Sequence, residues 1–309
     1  MDLGIIAGAV EQGLVYGVMA LGVYLTFRAL NFPDLTVDGS FPLGGAVAAT
    51  LIVGGYSPIL ATVAAAGAGI LAGFATGLLH TRLKISGLLA GILSMTALYS
   101  INLRIMGRAN VPLLREQTVL TLLEDLGIPA GWAPLLLFLL VSVALKLGLD
   151  WFLRTEVGLA LRATGDNEQM IRSAGVDTDA MKLLGLGLSN GLVALSGALV
   201  AQYQGFTDIG MGIGMIIAGL ASVIMGEVLI RSRRVFWATL SALVGSLLYR
   251  FLVFVALRLG FAPTDLKLVT AVLVVVALAA PGFQASVRGR IGAGRGRMKA
   301  KGGVVGART

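Results

Sequence analysis

Apolar runs separated by short polar breaks make up nearly the whole chain, and their lengths are the first constraint on the fold. At 1.5 Å per helical residue, about 20 apolar residues cross the roughly 30 Å hydrocarbon layer of a bilayer. Runs of that order occupy 3–27, 58–79, 86–106, 133–151, 183–203, 235–257 and 265–283, with two shorter or Gly-broken runs at 40–54 and 211–229. The pattern predicts an all-α, polytopic transmembrane helical bundle of about eight or nine segments, some broken or re-entrant. Residues 1–283 form this membrane domain. Residues 284–309, Gly-rich and basic, are expected to be a disordered arm near anionic headgroups.

One long segment, 152–182, is mixed in charge and amphipathic, and it cannot sit in lipid. Its pattern predicts two short helices meeting at Gly165-Asp166-Asn167. Asp166 or Asn167 would cap the second helix, which Gly175 would end. Such an element either docks a soluble partner or lies on the lipid surface as an amphipathic loop. At 107–132, Val119, Leu120, Leu122, Leu123 and Leu126 predict a short interfacial helix on the opposite side.

The stretch 30–45, LNFPDLTVDGSFPLGG, places Asn31, Asp34, Thr36, Asp38 and Ser40 around Pro33, Gly39 and Pro42 directly after a clean span. Pro33 and Pro42 each lack an amide donor, so a continuous lipid-facing helix is not expected here. Two readings remain: broken backbone at membrane depth beside protein or a watery cavity, or a plain loop. A second interruption at 205–219 repeats the motif, because Phe206 and Asp208 follow Phe32 and Asp34 at a constant offset (206 − 32 = 208 − 34 = 174). Paired broken segments point to a central translocation site. The candidate pathway residues are Asn31, Asp34, Thr36, Asp38, Ser40, Asn102 and Asp208.

Composition narrows the chemistry. With 57% hydrophobic and 13% charged residues and a mean hydropathy of +0.90, the chain has too few charges to cover a soluble surface. Cysteine is absent, which excludes thiol catalysis and Cys-based metal sites. His80, the single histidine, stands at a predicted helix end beside Arg82 and Lys84 and reads as a headgroup contact. The net charge of +8 is distributed as lipid requires: 17 of the 24 Lys and Arg fall in 28–39, 80–85, 152–182, 230–234 and the tail. The positive-inside rule then puts those loops and the C-terminus in the cytoplasm and the N-terminus outside, and a nucleic-acid partner is not expected. The N-terminus lacks a basic region followed by a cleavage site, so the first run reads as a retained span. Glycines four apart, as in Gly69, Gly73 and Gly77, or Gly13 and Gly17, predict close helix packing. Leu195-Ser196-Gly197 resembles an ATP-binding-cassette signature but lies inside an apolar run, where it reads as a packing pair. No P-loop, catalytic carboxylate pair, metal-spaced His cluster or nucleophile elbow occurs, so neither a catalytic nor a metal site is expected.

Three stretches carry a family resemblance: GLVYGVMALGVYLTFRALNFPDLTVDGSFPLGGAVAA at 13–49, GLLAGILSMTALYSINLRIMGRANVPL at 87–113, and VGLALRATGDNEQMIRSAGVDTDAMKLLGLGLSNGLVALSGAL at 157–199. Together they resemble the branched-chain amino acid/ribose class of ABC-transporter permeases, nearest the branch linked to aromatic amino acids or uncharacterised binding lipoproteins, over about residues 10–283. The resemblance implies a type II importer-like subunit. It makes Leu161, Arg162, Ala163, Gly165, Asn167, Gly175 and Val176 part of a coupling helix that docks on an ATPase. Asp166, Glu168, Met170, Ile171 and Arg172 complete that expected surface. The implied partners are a separate ATPase, which would hold ATP and Mg, an extracytoplasmic substrate-binding protein, a second permease copy and the bacterial inner membrane. Where better-known branched-chain permeases have Asn-Phe-Ala-His-Gly, this chain has Asn31-Phe32-Pro33-Asp34, which weighs against carrying over a branched-chain substrate. A different class stays open: an ion-coupled secondary transporter using Asp34, Asp38 and Asp208 as intramembrane ion sites.

Overall fold

A computed structural model describes residues 3–260 except 126, 130, 231 and 233, together with 265, 268, 270–272 and 275. The predicted arm at 284–309, and all but those few positions of the predicted span at 265–283, lie outside the described residues. Helix α1 (Leu3–Tyr24) continues into a five-residue π-helix, Leu25–Ala29. After it come α2 (Val37–Val53), α3 (Pro58–Thr81), α4 (Gly87–Met106), α5 (Val119–Asp125), α6 (Ala133–Phe152), α7 (Glu156–Asp166), α8 (Glu168–Ser173) and α9 (Thr178–Gln204). A 3-10 turn at Ile209–Gly212 leads to α10 (Met215–Leu229), and α11 is Val235–Arg258. Among the described residues, seven helical stretches are long and apolar enough to cross a membrane, and α2 is a shorter apolar helix.

Helices α1, α2 and α9 form the interior. Helix α1 packs on α9, α11, α6 and α10, while α2 lies between α9, α3 and α4 with most of its residues buried. Large apolar side chains on the outer faces of α3, α4 and α6, such as Leu71, Leu93 and Leu140, are exposed, as lipid contact requires. The four-residue glycine spacing does what it predicts: a Cβ at Gly73 would lie 2.2 Å from the Leu186 carbonyl oxygen, so α3 and α9 meet backbone to backbone. Hydroxyls then fasten the neighbours to α1. Ser142 donates to the Leu14 carbonyl (2.9 Å), Ser189 to Gly22 (2.7 Å), Ser196 to Val15 (2.7 Å) and Ser246 to Gly13 (2.7 Å). Ser196 and Gly197, whose Cα faces the Phe41 carbonyl, are thus the packing pair their apolar surroundings predict.

Two features depart from expectation. Helix α2 runs unbroken through Pro42, because the helix is buried in protein rather than lipid and its surroundings accommodate the defect. Pro42 has no N–H to give the Asp38 carbonyl, and Gly212 packs against that carbonyl, with room for no side chain: a Cβ would be 2.0 Å away. The second is a small antiparallel pair, β1 (Asn110–Pro112) with β2 (Phe206–Asp208), in the register Asn110 to Asp208, Val111 to Thr207 and Pro112 to Phe206. It ties the α4–α5 connection to the start of the second interruption.

Candidate functional site

The first span ends in altered backbone. The π-helix closes with the Leu30 amide bonding the Leu25 carbonyl (3.0 Å), and the Phe32 amide then reaches the Thr26 carbonyl (2.8 Å). Asn31 between them is left-handed, φ 53°, a conformation Asn tolerates better than most residues. The chain turns back, and Asp34 becomes fully buried. Its carboxylate accepts from the Thr36 amide (2.9 Å) and the Asn190 side-chain amide (2.7 Å). The Ser40 hydroxyl donates to Asn190 Oδ1 (2.6 Å), Thr36 shares a hydrogen bond with Thr76 (2.8 Å), and Thr76 donates to Ser94 (2.7 Å). A buried network of this kind is stable only because its members satisfy one another.

Asp38 does different work. Its half-buried carboxylate accepts from the backbone amides of Gly214 (3.0 Å) and Ile216 (2.7 Å), so a side chain in the first turn of α2 caps the N-terminus of α10. The two interrupted segments therefore meet, and the negative charge lies where two helix N-termini favour it. The sequence echo has a local meaning as well. Asp34 Oδ1 accepts from the amide two residues on at 2.9 Å, and Asp208 Oδ1 does the same with Gly210 at 2.8 Å, giving the same Asx turn twice. Asp34, Thr36 and Ser40 come together; Asp208 stays half-buried at the β pair. Asn102 is buried and donates to the Gly39 carbonyl (3.1 Å) while its own Oδ1 has no partner, and Asn31 is exposed.

At the N-terminal end of α9 lies the polar appendage. Thr155 caps α7, Asn167 caps α8 by accepting from the Met170 amide (3.0 Å), and Gly175 (φ 89°) ends the turn after it. Gly165 sits flat on the end of the first span, where a Cβ would be 2.3 Å from the Ala29 carbonyl oxygen. Glu168 braces α8 to the root of α9 through Lys182 (2.8 Å) and pairs with Arg172 (3.1 Å), which also reaches Thr178 (2.6 Å). The Lys182 hydrogen bond holds the Glu168 carboxyl below the usual glutamate range. Of the remaining expected docking residues, Asp166, Asn167, Met170, Arg172 and Gly175 are exposed, and Arg162 and Ile171 half-buried; Met170 is 61% exposed.

Asn190 and the Lys146–Asp150 pair were not singled out by sequence reasoning. Asn190, inside an apolar run, is the hub of the Asp34 network. Lys146 and Asp150 form an ion pair at 2.5 Å, both almost fully buried, and their four-residue spacing on one helix was a readable signal. His80 is half-buried and has partners within the protein: its ring pairs edge-to-face with Phe32 (5.1 Å between centroids), and its Nδ1 lies 2.8 Å from the Ile85 carbonyl oxygen. Arg250, in α11, is half-buried and lies over the Tyr16 ring at 3.4 Å.

A membrane-spanning helical bundle with a buried polar centre at two interrupted segments, and one ordered polar appendage, has the build of a membrane transport subunit. Comparison with known proteins gives the family. Residues 5–279 match the family described as branched-chain amino acid transport system, permease component, and the chain belongs to it. It is 43% identical to the tyrosine transport system permease protein of Clostridioides difficile over 92% of this chain and 93% of that protein. It is 34% identical to an uncharacterized protein of Rickettsia prowazekii over 89% of this chain and 97% of that one. With the autoinducer 2 import system permease protein LsrC of Escherichia coli it shares 29% identity over 68% of this chain and 60% of that protein. No solved structure matches the chain. The protein is an ABC-transporter permease of this class, a transport component rather than an enzyme.

Proposed function

We propose that the chain is the membrane subunit of an ABC importer for an amino acid with an aromatic side chain, tyrosine being the first candidate because a relative at 43% identity is named for tyrosine transport. Two copies would form the permease dimer, an extracytoplasmic binding protein would deliver the solute, and two ATPase subunits, holding ATP and Mg, would dock on α8 from the cytoplasm. The residence is the bacterial inner membrane, with the N-terminus outside and the C-terminus cytoplasmic, as the distribution of basic residues supports. Asn31, Asp34, Thr36, Asp38, Ser40, Asn102 and Asp208 are proposed to border the pathway, and the surface from Arg162 to Gly175 to carry coupling.

The observation that supports this best is α8. A six-residue helix that exposes Met170 to water, yet is braced by Glu168, Arg172 and Lys182 into one orientation, has the form of a docking knob with an apolar anchor and a charged rim. The ion-coupled alternative has less support, since Asp34 and Asp38 are already engaged by an amide side chain and by backbone amides. The test is to replace Met170 and Ile171 by Asp and reconstitute the chain with its cognate ATPase and binding protein. ATP-driven tyrosine uptake is expected to be lost while the membrane domain stays folded. Normal uptake by the double variant rules out the docking role, and pH-gradient-driven uptake without ATPase restores the alternative.

A further inference from the structure

The single histidine of the chain has no part in the function above, yet it stands between the docking helix and the buried polar cluster. We propose that His80 and Lys182 are positioning residues that carry a displacement of α8 to the segment 30–36, through the contact chain Glu168, Lys182, His80 and Phe32. The inference rests on the permease reading and adds the route of coupling.

Each link has a geometric basis. The Ile85 carbonyl lies 2.8 Å from His80 Nδ1 and can only accept, so Nδ1 is the donor of that hydrogen bond. The other ring nitrogen, Nε2, lies 3.5 Å from Lys182 Nζ, and the same ammonium donates to Glu168 Oε2 at 2.8 Å. The Lys182 side chain is only 14% exposed, so water competes little for these contacts. The His80 ring also meets Phe32 edge-to-face, at an interplanar angle of 76°. Phe32 is 5% exposed, and Gly87 packs so near one edge that a Cβ there would lie 2.7 Å from the ring. A close-packed ring passes a push on rather than absorbing it. Immediately before Phe32 stands the left-handed Asn31, and two residues after it is Asp34, joined to Asn190. The chain thus ends where the backbone is already bent and the network begins.

The absence of cysteine allows a direct test. Pro33 is exposed, so Pro33→Cys introduces a thiol beside Phe32 that a water-soluble maleimide can reach. In the complex with the cognate ATPase, trapping ATP with vanadate is expected to change its labelling rate about fivefold or more, the lower range of ordinary coupling between sites. Lys182→Met and Phe32→Leu should each reduce that change to less than about twofold, the two together should do no more than either alone, and Lys182→Arg should restore it. If Lys182→Met fails to hold the ATPase, Phe32→Leu and His80→Phe, which alter side chains off α8, carry the comparison. Single variants that keep the parent's response, or a double variant that loses the product of two independent effects, overturn the relay. So does a parent complex that binds the ATPase but whose labelling ignores nucleotide. A parent chain that binds no ATPase at all instead defeats the docking role proposed for α8.

Discussion

Replacing Asp150 by Asn isolates the energetics of the buried ion pair. Lys146 Nζ lies 2.5 Å from Asp150 Oδ2, with the two side chains 5% and 6% exposed. The Thr239 hydroxyl donates to the other carboxylate oxygen at 2.5 Å, and the Phe236 ring centre lies 3.1 Å from the ammonium. The substitution keeps the shape and an acceptor for Thr239 but removes the counter-charge. Breaking a buried pair by removing one partner costs about 3–5 kcal/mol, because the remaining ion is left in a poor solvent. The Phe236 ring still faces the ammonium, so the lower figure, about 3 kcal/mol, is the expectation. About 2–4 °C per kcal/mol holds for a chain somewhat smaller than this one, and the shift shrinks with size, so the melting temperature should fall by about 6 °C. The double substitution Lys146→Met with Asp150→Leu should return to within about 1–2 kcal/mol of the parent, since an apolar pair of similar volume needs no desolvation. Detergent-solubilised protein melted under tryptophan fluorescence suits the measurement, because Trp237 packs edge-on against Phe236 at 5.6 Å. An Asp150→Asn variant melting within about 1 °C of the parent, or a double variant as unstable as the sum of its singles, refutes the reasoning.

Asp38→Ala should free the N-terminus of α10 by leaving the Gly214 and Ile216 amides without their acceptor, at about 1–3 kcal/mol for each buried amide that water cannot reach. Amide exchange at 214–216 should accelerate ahead of the rest of α10; uniform protection along the helix would show that the cap contributes nothing. Glu168 gives a pH dependence of known sign. Its folded pKa is depressed by Lys182, so the brace on α8 is at full strength above the ordinary glutamate value and is lost as pH falls through the lower folded one. Exchange protection of α8 should therefore hold from pH 7 to about 5 and fall below about pH 4 in the parent, and Lys182→Met should shrink the step to the part that Arg172 and Thr178 supply. A loss that begins near neutral pH, or that is unchanged in Lys182→Met, assigns it to another group.

The spans were legible because lipid imposes length directly. The predicted runs 58–79, 86–106 and 235–257 stand beside helices Pro58–Thr81, Gly87–Met106 and Val235–Arg258, whose ends are marked by local chemistry such as the Ser57 cap and the left-handed Gly107. The run at 183–203 is instructive where it differs. Helix α9 starts at Thr178 because its first turn, with Asp179 and Lys182, is helical but polar, so hydropathy marks where lipid begins and the Asp177 cap marks where the helix begins. The corner at Asn167 and Gly175 was legible for the same reason, since a cap and a left-handed glycine act within three residues of themselves. Pairing across the bundle leaves no such trace. The partners of β1 and β2 lie far apart in sequence, and three residues are too few to show an alternation.

The polar residues inside apolar runs lie between these cases. In a bilayer an unpaired amide, hydroxyl or carboxylate is costly, so a polar residue at depth announces that a partner exists. It does not say which one, because the partner is chosen by helix packing. Asp34 stood out in sequence, whereas Asn190, which it needs, lies 156 positions away in a run that reads as plain lipid-facing helix. The repeat at offset 174 shows the same division. What it encodes locally, an Asx turn at Asp34 and again at Asp208, is present in both places. What joins the two halves is Asp38, which has no counterpart in the repeat and reaches across to the α10 amides. A repeated motif can thus report where a helix is interrupted. The contact that makes two interruptions into one site depends on the small residues, Gly45 against Thr207 and Gly212 against Pro42, that let the segments approach closely enough to share a carboxylate.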